Sequence, residues 1–82
     1  SYYPWRAYGN HYDDWANSYL ATVSSIDGSQ LGVKDLKPLK NFSYVNSDLA
    51  SKVISKALKH GSKDVTMFSK KLLLDLERAG AN

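Results

Sequence analysis

His11, Asp13 and Asp14 come nearest to a cluster of reactive side chains in this chain, and their spacing does not build a site. A metal centre needs three or four convergent ligands. The chain has no cysteine, and its other histidine, His60, is far away in sequence. On a helix, adjacent carboxylates point about 100° apart, which is poor geometry for an acid/base pair. Both aspartates suit the first turn of a helix, where the peptide dipole favours negative charge. None of the serines lies in a nucleophile elbow or in a supported Ser-x-x-Lys arrangement. Gly28 and Gly32 do not frame a phosphate-cradling loop. No catalytic, cofactor-binding or metal-ligating residues are assigned, and the expectation is a non-enzymatic protein without a cofactor.

The aromatic residues carry more information. Seven of the ten fall within the first nineteen positions. Trp5, Tyr8, Tyr12, Trp15 and Tyr19 recur at steps of three and four, which aligns them along one stripe of a helix. Val23 and Ile26 continue that rhythm. Tyr12, Trp15 and Tyr19 are expected to fill the interior of a small bundle. Residues 1–9 hold Pro4 and Gly9 and read as an irregular lead, leaving Tyr2, Tyr3, Trp5, Arg6 and Tyr8 as the candidate anchors for a protein partner. The competing expectation is that this lead folds back over an open end of the bundle.

Charge is split along the chain. Residues 1–33 set Arg6 against Asp13, Asp14 and Asp27 for a net −2, and residues 34–82 carry a net +5 within a total of +3. Lys52, Lys56, Lys59 and Lys63 form a basic stripe that can meet an anionic surface. Nucleic acid is a poor fit. The only arginines are Arg6 and Arg78, and the aromatics lie in the acidic part instead of between the lysines. A membrane fits better, because residues 47–60 combine a Leu/Ile/Val/Ala face with a lysine face.

These residues are positioned by an expected all-α fold, a single helical domain spanning 1–82. Its helices are 11–27, 47–60 and 62–79, with a fourth over 36–45 if that segment closes into one. Asn10 is placed to cap the first, and Gly28 to stop it in a left-handed conformation. A hairpin competes there: Thr22 to Ile26 is rich in β-branched residues, Asp27-Gly28 is a tight-turn dipeptide, and Leu31 and Val33 could return the strand. Val33, Leu36, Leu39, Phe42 and Val45 recur every third residue, suiting a short helix or a 3₁₀ segment with Asp35 as its cap, or else a connector laid over the core with these side chains as buried pegs. Ser47 is placed to cap the helix 47–60, which Gly61 ends. Ser62 then opens a helix through Val65, Phe68, Leu72 and Leu76, closed by Gly80, with Asp75 spaced to pair with Arg78.

The chain starts at Ser1, which fits removal of a signal or transit peptide, although the boundary of an expressed fragment would look the same. Asn41-Phe42-Ser43 is an acceptor triplet for N-glycosylation. Together these give an extracytoplasmic expectation, either secreted or organelle-imported. The leading functional expectation is an accessory subunit or self-associating component that binds protein through its aromatic amino-terminal end. The alternatives are a cationic membrane-active protein and a carrier whose core aromatics line a cavity for a hydrophobic ligand.

Overall fold

A computed structural model describes residues 11–80, and every element in it is helical. The Asn10 cap and the lead 1–9, with Tyr2, Tyr3, Trp5, Arg6 and Tyr8, lie outside the described residues. Helix α1 runs His11–Ser25, with Asp13 and Asp14 in its first turn and Ala16, Leu20 and Val23 buried. The run of β-branched and hydroxyl residues near its end stays helical. Thr22, Ser24 and Ser25 each turn a hydroxyl back onto a backbone carbonyl three or four residues earlier, which accommodates them in the helix. No hairpin forms over 22–33.

Gly28 does not stop α1 in a left-handed conformation, because among the described residues only Gly80 has a positive φ, at 76°. The helix instead gives way to a 3₁₀ turn over Gly28–Gln30, capped by Asp27. The Asp27 carboxylate accepts both the backbone N–H of Ser29, at 2.9 Å, and its hydroxyl, at 2.8 Å. Those bonds hold the Asp27 carboxyl below its ordinary value. What requires glycine at position 28 is close approach: a Cβ there would lie 2.7 Å from Cβ of His60 and 3.0 Å from Cγ of Lys56.

The expected helix over 36–45 is two short ones, α2 (Val33–Leu36) and α3 (Leu39–Phe42), broken at Lys37-Pro38. Pro38 has no N–H to continue α2, and its carbonyl starts α3 by accepting from Asn41 and Phe42. Asp35 caps nothing that begins at Leu36. It sits inside α2 and reaches back to the Gly32 N–H at 2.8 Å. The threefold period nevertheless marks the inward side, since Leu36 and Leu39 are buried and Val33, Phe42 and Val45 half-buried.

Helix α4 spans Ser47–His60 and is capped by Asn46 rather than Ser47, the Asn46 side chain accepting from Leu49 N at 3.1 Å. Helix α5 spans Lys63–Arg78, with the Ser62 hydroxyl accepting from Val65 N at 3.4 Å. Asp75 pairs with Lys71, at 3.2 Å, not with Arg78. The two-residue link is tight enough that a Cβ on Gly61 would collide with Ala57 and Val65. Helix α4 packs against both α1 and α5, α3 lies on α1, and α2 lies on α5. Leu20, Val23, Leu36, Leu39, Val53, Ile54, Val65 and Leu72 meet in one apolar cluster.

Candidate binding surfaces

The aromatic stripe does not fill the interior. On α1 the residues turned fully inward are Ala16 and Leu20, both 0% exposed, while Trp15 is 41% exposed. Tyr12 and Tyr19 flank the buried row and are half-buried. Their rings close on Phe42 of α3: Tyr12 edge-on at 5.4 Å between centroids, Tyr19 tilted at 5.6 Å. Rings in this arrangement gain a quadrupole contact beyond their burial. The Tyr19 hydroxyl donates to the backbone carbonyl of Asp35, and burial pushes the phenol up to about 12, with help from the Asp35 charge.

Tyr12 ends in an open cleft of about 620 Å³ whose other walls are Lys40, Asn41, Phe42 and Tyr44. Its hydroxyl donates to the Asn41 carbonyl at 3.2 Å. The Tyr44 hydroxyl beside it, followed by partial burial, pushes the Tyr12 phenol up to about 12. Tyr44 itself is 68% exposed, the most open large apolar side chain among the described residues. Sequence reasoning treated Phe42 only as a core peg and did not single out Tyr44. The available signal was the density of rings in Phe42-Ser43-Tyr44, the one aromatic pair outside the amino-terminal third.

The acceptor triplet lies on the same wall. Asn41 is exposed at the rim of the cleft, whereas Ser43 is buried at 6%. Of the predicted basic stripe, Lys52, Lys59 and Lys63 are exposed. Lys56 is not in that company. Its ammonium donates to the carbonyls of Val23, Ser24 and Ile26 at 3.0, 2.6 and 2.5 Å, closing the carboxyl end of α1. Its donors are spent inside the fold, so the outward stripe on α4 is thinner than the sequence suggests.

His11 lies 3.4 Å from Asp14 on an exposed turn, and no group of three His, Cys, Asp or Glu residues is placed to hold a metal among the described residues. An apolar-floored cleft between α4 and α5, with Ile54, Leu73 and Leu76, measures about 130 Å³. Enclosed ligand pockets usually run from about 300 Å³ upward. No described helix is long and apolar enough to cross a membrane. No family model, curated protein or solved structure matches the chain.

Proposed function

We propose that this is a non-enzymatic binding protein, an accessory or self-associating component that docks on protein through its aromatic end. The observation that carries the reading is the open cleft of Tyr12, Phe42 and Tyr44, with Tyr44 68% exposed. Its wall is braced by the Tyr12–Asn41 hydrogen bond and the Phe42 ring contacts, which limits the side-chain freedom left to lose when a partner docks. A preorganised aromatic cleft is what an interface centre uses, because little side-chain freedom is lost on docking. Trp15 and Tyr12 are three residues apart on α1, and residues 1–10, with Tyr2, Tyr3, Trp5, Arg6 and Tyr8, lead directly into that helix.

Sedimentation of the native protein tests this together with two variants, Tyr44→Ser and a deletion of residues 1–8. Both are expected to lose association while melting stays within a few degrees of the parent. Anchors of this kind typically contribute about 2 kcal/mol or more each. A truncated chain that melts far lower as a monomer would assign the aromatic lead to the protein's own core.

A further inference from the structure

Helix α5 presents a second apolar row on the side away from the core. Val65, Ser69 and Leu72 face inward. On the opposite side, two turns apart, Met67 and Leu74 are 60% and 51% exposed. Lys63, Lys70, Lys71 and Arg78 lie three or four residues from one or both of these, so cations line both flanks of the row. Lys71 is engaged by Asp75, whereas Lys63, Lys70 and Arg78 make no ion pair among the described residues. Asp64 and Glu77 are exposed as well and lie three residues from Met67 and Leu74 respectively, so the flanks carry four cations against these two carboxylates.

The positive surface continues past the edge of α5. Lys37 and Lys40, carried by the turn between α2 and α3 and by α3, share with Lys71 a cleft of about 210 Å³ floored by Phe68 and Leu72. Three lysines therefore line one apolar floor, with Asp75 on the same wall pairing with Lys71 and leaving Lys37 and Lys40 as its outward charge.

We propose that this face of α5, extended by Lys37 and Lys40, is a docking surface for an anionic phospholipid bilayer. The charge on the face is complementary to such a surface, and its shape argues for lipid over an acidic protein. The row is a convex helix ridge, not a groove. Its apolar members are flexible and aliphatic, and its cations are mainly lysines, which protein interfaces disfavour. Lysines flanking an apolar ridge can extend their heads to lipid phosphates while Met67 and Leu74 enter the headgroup boundary. The cleft over Phe68 and Leu72 would hold one further headgroup between Lys37 and Lys40. This surface meets the aromatic cleft only at Lys40, which lines both. Substitutions on α5 leave the cleft intact, so the two readings can fail independently.

The test is co-sedimentation of the full chain with phosphatidylcholine vesicles, with and without phosphatidylserine. Binding is expected only to the phosphatidylserine vesicles and is lost as salt is raised toward about 1 M, where screening shortens to about 3 Å. A Lys63→Gln/Lys70→Gln/Arg78→Gln variant is expected to weaken partitioning on the order of a hundredfold, roughly fivefold for each charge. Met67→Ser/Leu74→Ser should weaken it about tenfold. All five positions are exposed, so the fold is kept and circular dichroism should be unchanged. Lys52→Gln/Lys59→Gln on α4 removes exposed charge elsewhere and should leave most of the binding in place. No binding to phosphatidylserine vesicles at low salt overturns the proposal. So does equal binding to neutral vesicles, or an α4 variant that loses as much per charge as the α5 variant.

Discussion

The ammonium of Lys56 lies 2.5 Å from the carbonyl oxygen of Ile26, thirty residues earlier and just beyond the end of α1. With its bonds to Val23 and Ser24, it supplies donors to the carbonyls at the helix end, where Val23 otherwise accepts only a 3.3 Å bond from Ile26 N. Helix α1 has no basic residue in its own last turn. Lys56 supplies from α4 the positive charge that complements the α1 dipole.

Lys56→Met keeps the stem and removes the three charged hydrogen bonds. It is expected to cost about 1.5–3 kcal/mol in urea unfolding, the range for bonds to a charged group. Lys52→Met, one turn away and exposed, should stay within about 0.5 kcal/mol. Equal effects for the two lysines would show that Lys56 is only another surface charge.

Gly28 and Gly32 should respond differently to the same change. Gly28→Ala drives a methyl group into His60 and Lys56, and overpacking of this kind costs about 1–3 kcal/mol. At Gly32, with φ −111°, the nearest atom to a new Cβ is Asp35 Oδ2 at 3.5 Å, ordinary contact. Gly32→Ala should be neutral or stabilise by up to about 1 kcal/mol, through the lower freedom of the unfolded chain. Thermal melts of the two variants check this.

Tyr12 and Tyr19 give the fold an alkaline limit. Both phenols are raised from 10.0 to about 12 in the folded chain. A raised folded value means the folded state holds the proton longer, so the stabilisation is complete below about pH 10. It is lost as pH climbs from there through about 12. Chemical denaturation as a function of pH should show stability falling over that interval. Tyr12→Phe/Tyr19→Phe should lower stability near neutrality and flatten the alkaline fall. An unchanged slope would mean that other groups set the limit.

Ser69 should behave in the opposite way to most core positions. It is 1% exposed, and its hydroxyl has no hydrogen-bond partner among the described residues. A buried hydroxyl without a partner forfeits its hydration for nothing, a penalty of about 1–3 kcal/mol. Ser69→Ala removes that group at little loss of volume and should raise stability by about 1 kcal/mol. A clear loss on denaturation would show that the hydroxyl is satisfied in solution, for instance by a buried water.

Helices α4 and α5 were legible because apolar periodicity, Lys59 and His60 in the last turn of α4, and Gly61-Ser62 all gave the same boundaries. In α1 the period located the stripe but not its depth. Tyr12, Trp15 and Tyr19 share a side with Ala16 and Leu20, and only the smaller residues allow α4 to approach closely. Residues 33–45 were ambiguous because a threefold period suits both 3₁₀ and α geometry, and Pro38 interrupts it. Lys56 was not legible at all. Its spacing from Lys52 and Lys59 is that of a common face, and what distinguishes it is the end of another helix. The cleft was half legible: Tyr12 stood out, while Tyr44 acquires its place only when α3 folds onto α1.

Helix α1 is fastened to later parts of the chain at four points along its length, one of them the Tyr19–Asp35 bond near its middle. Near its start Tyr12 bonds to Asn41, and Asn46 donates to Asn17, both at 3.2 Å between neutral, exposed groups. At its finish Lys56 grips three carbonyls from a half-buried position. Such unequal clasps make the helix a hinge-mounted element whose amide protection is graded. In hydrogen–deuterium exchange the first turns should open in brief local excursions, while the amides around Leu20 and Val23 exchange only when the molecule opens as a whole. The aromatic cleft thus lies at the loosely clasped end, where a partner could alter backbone dynamics without disturbing the core.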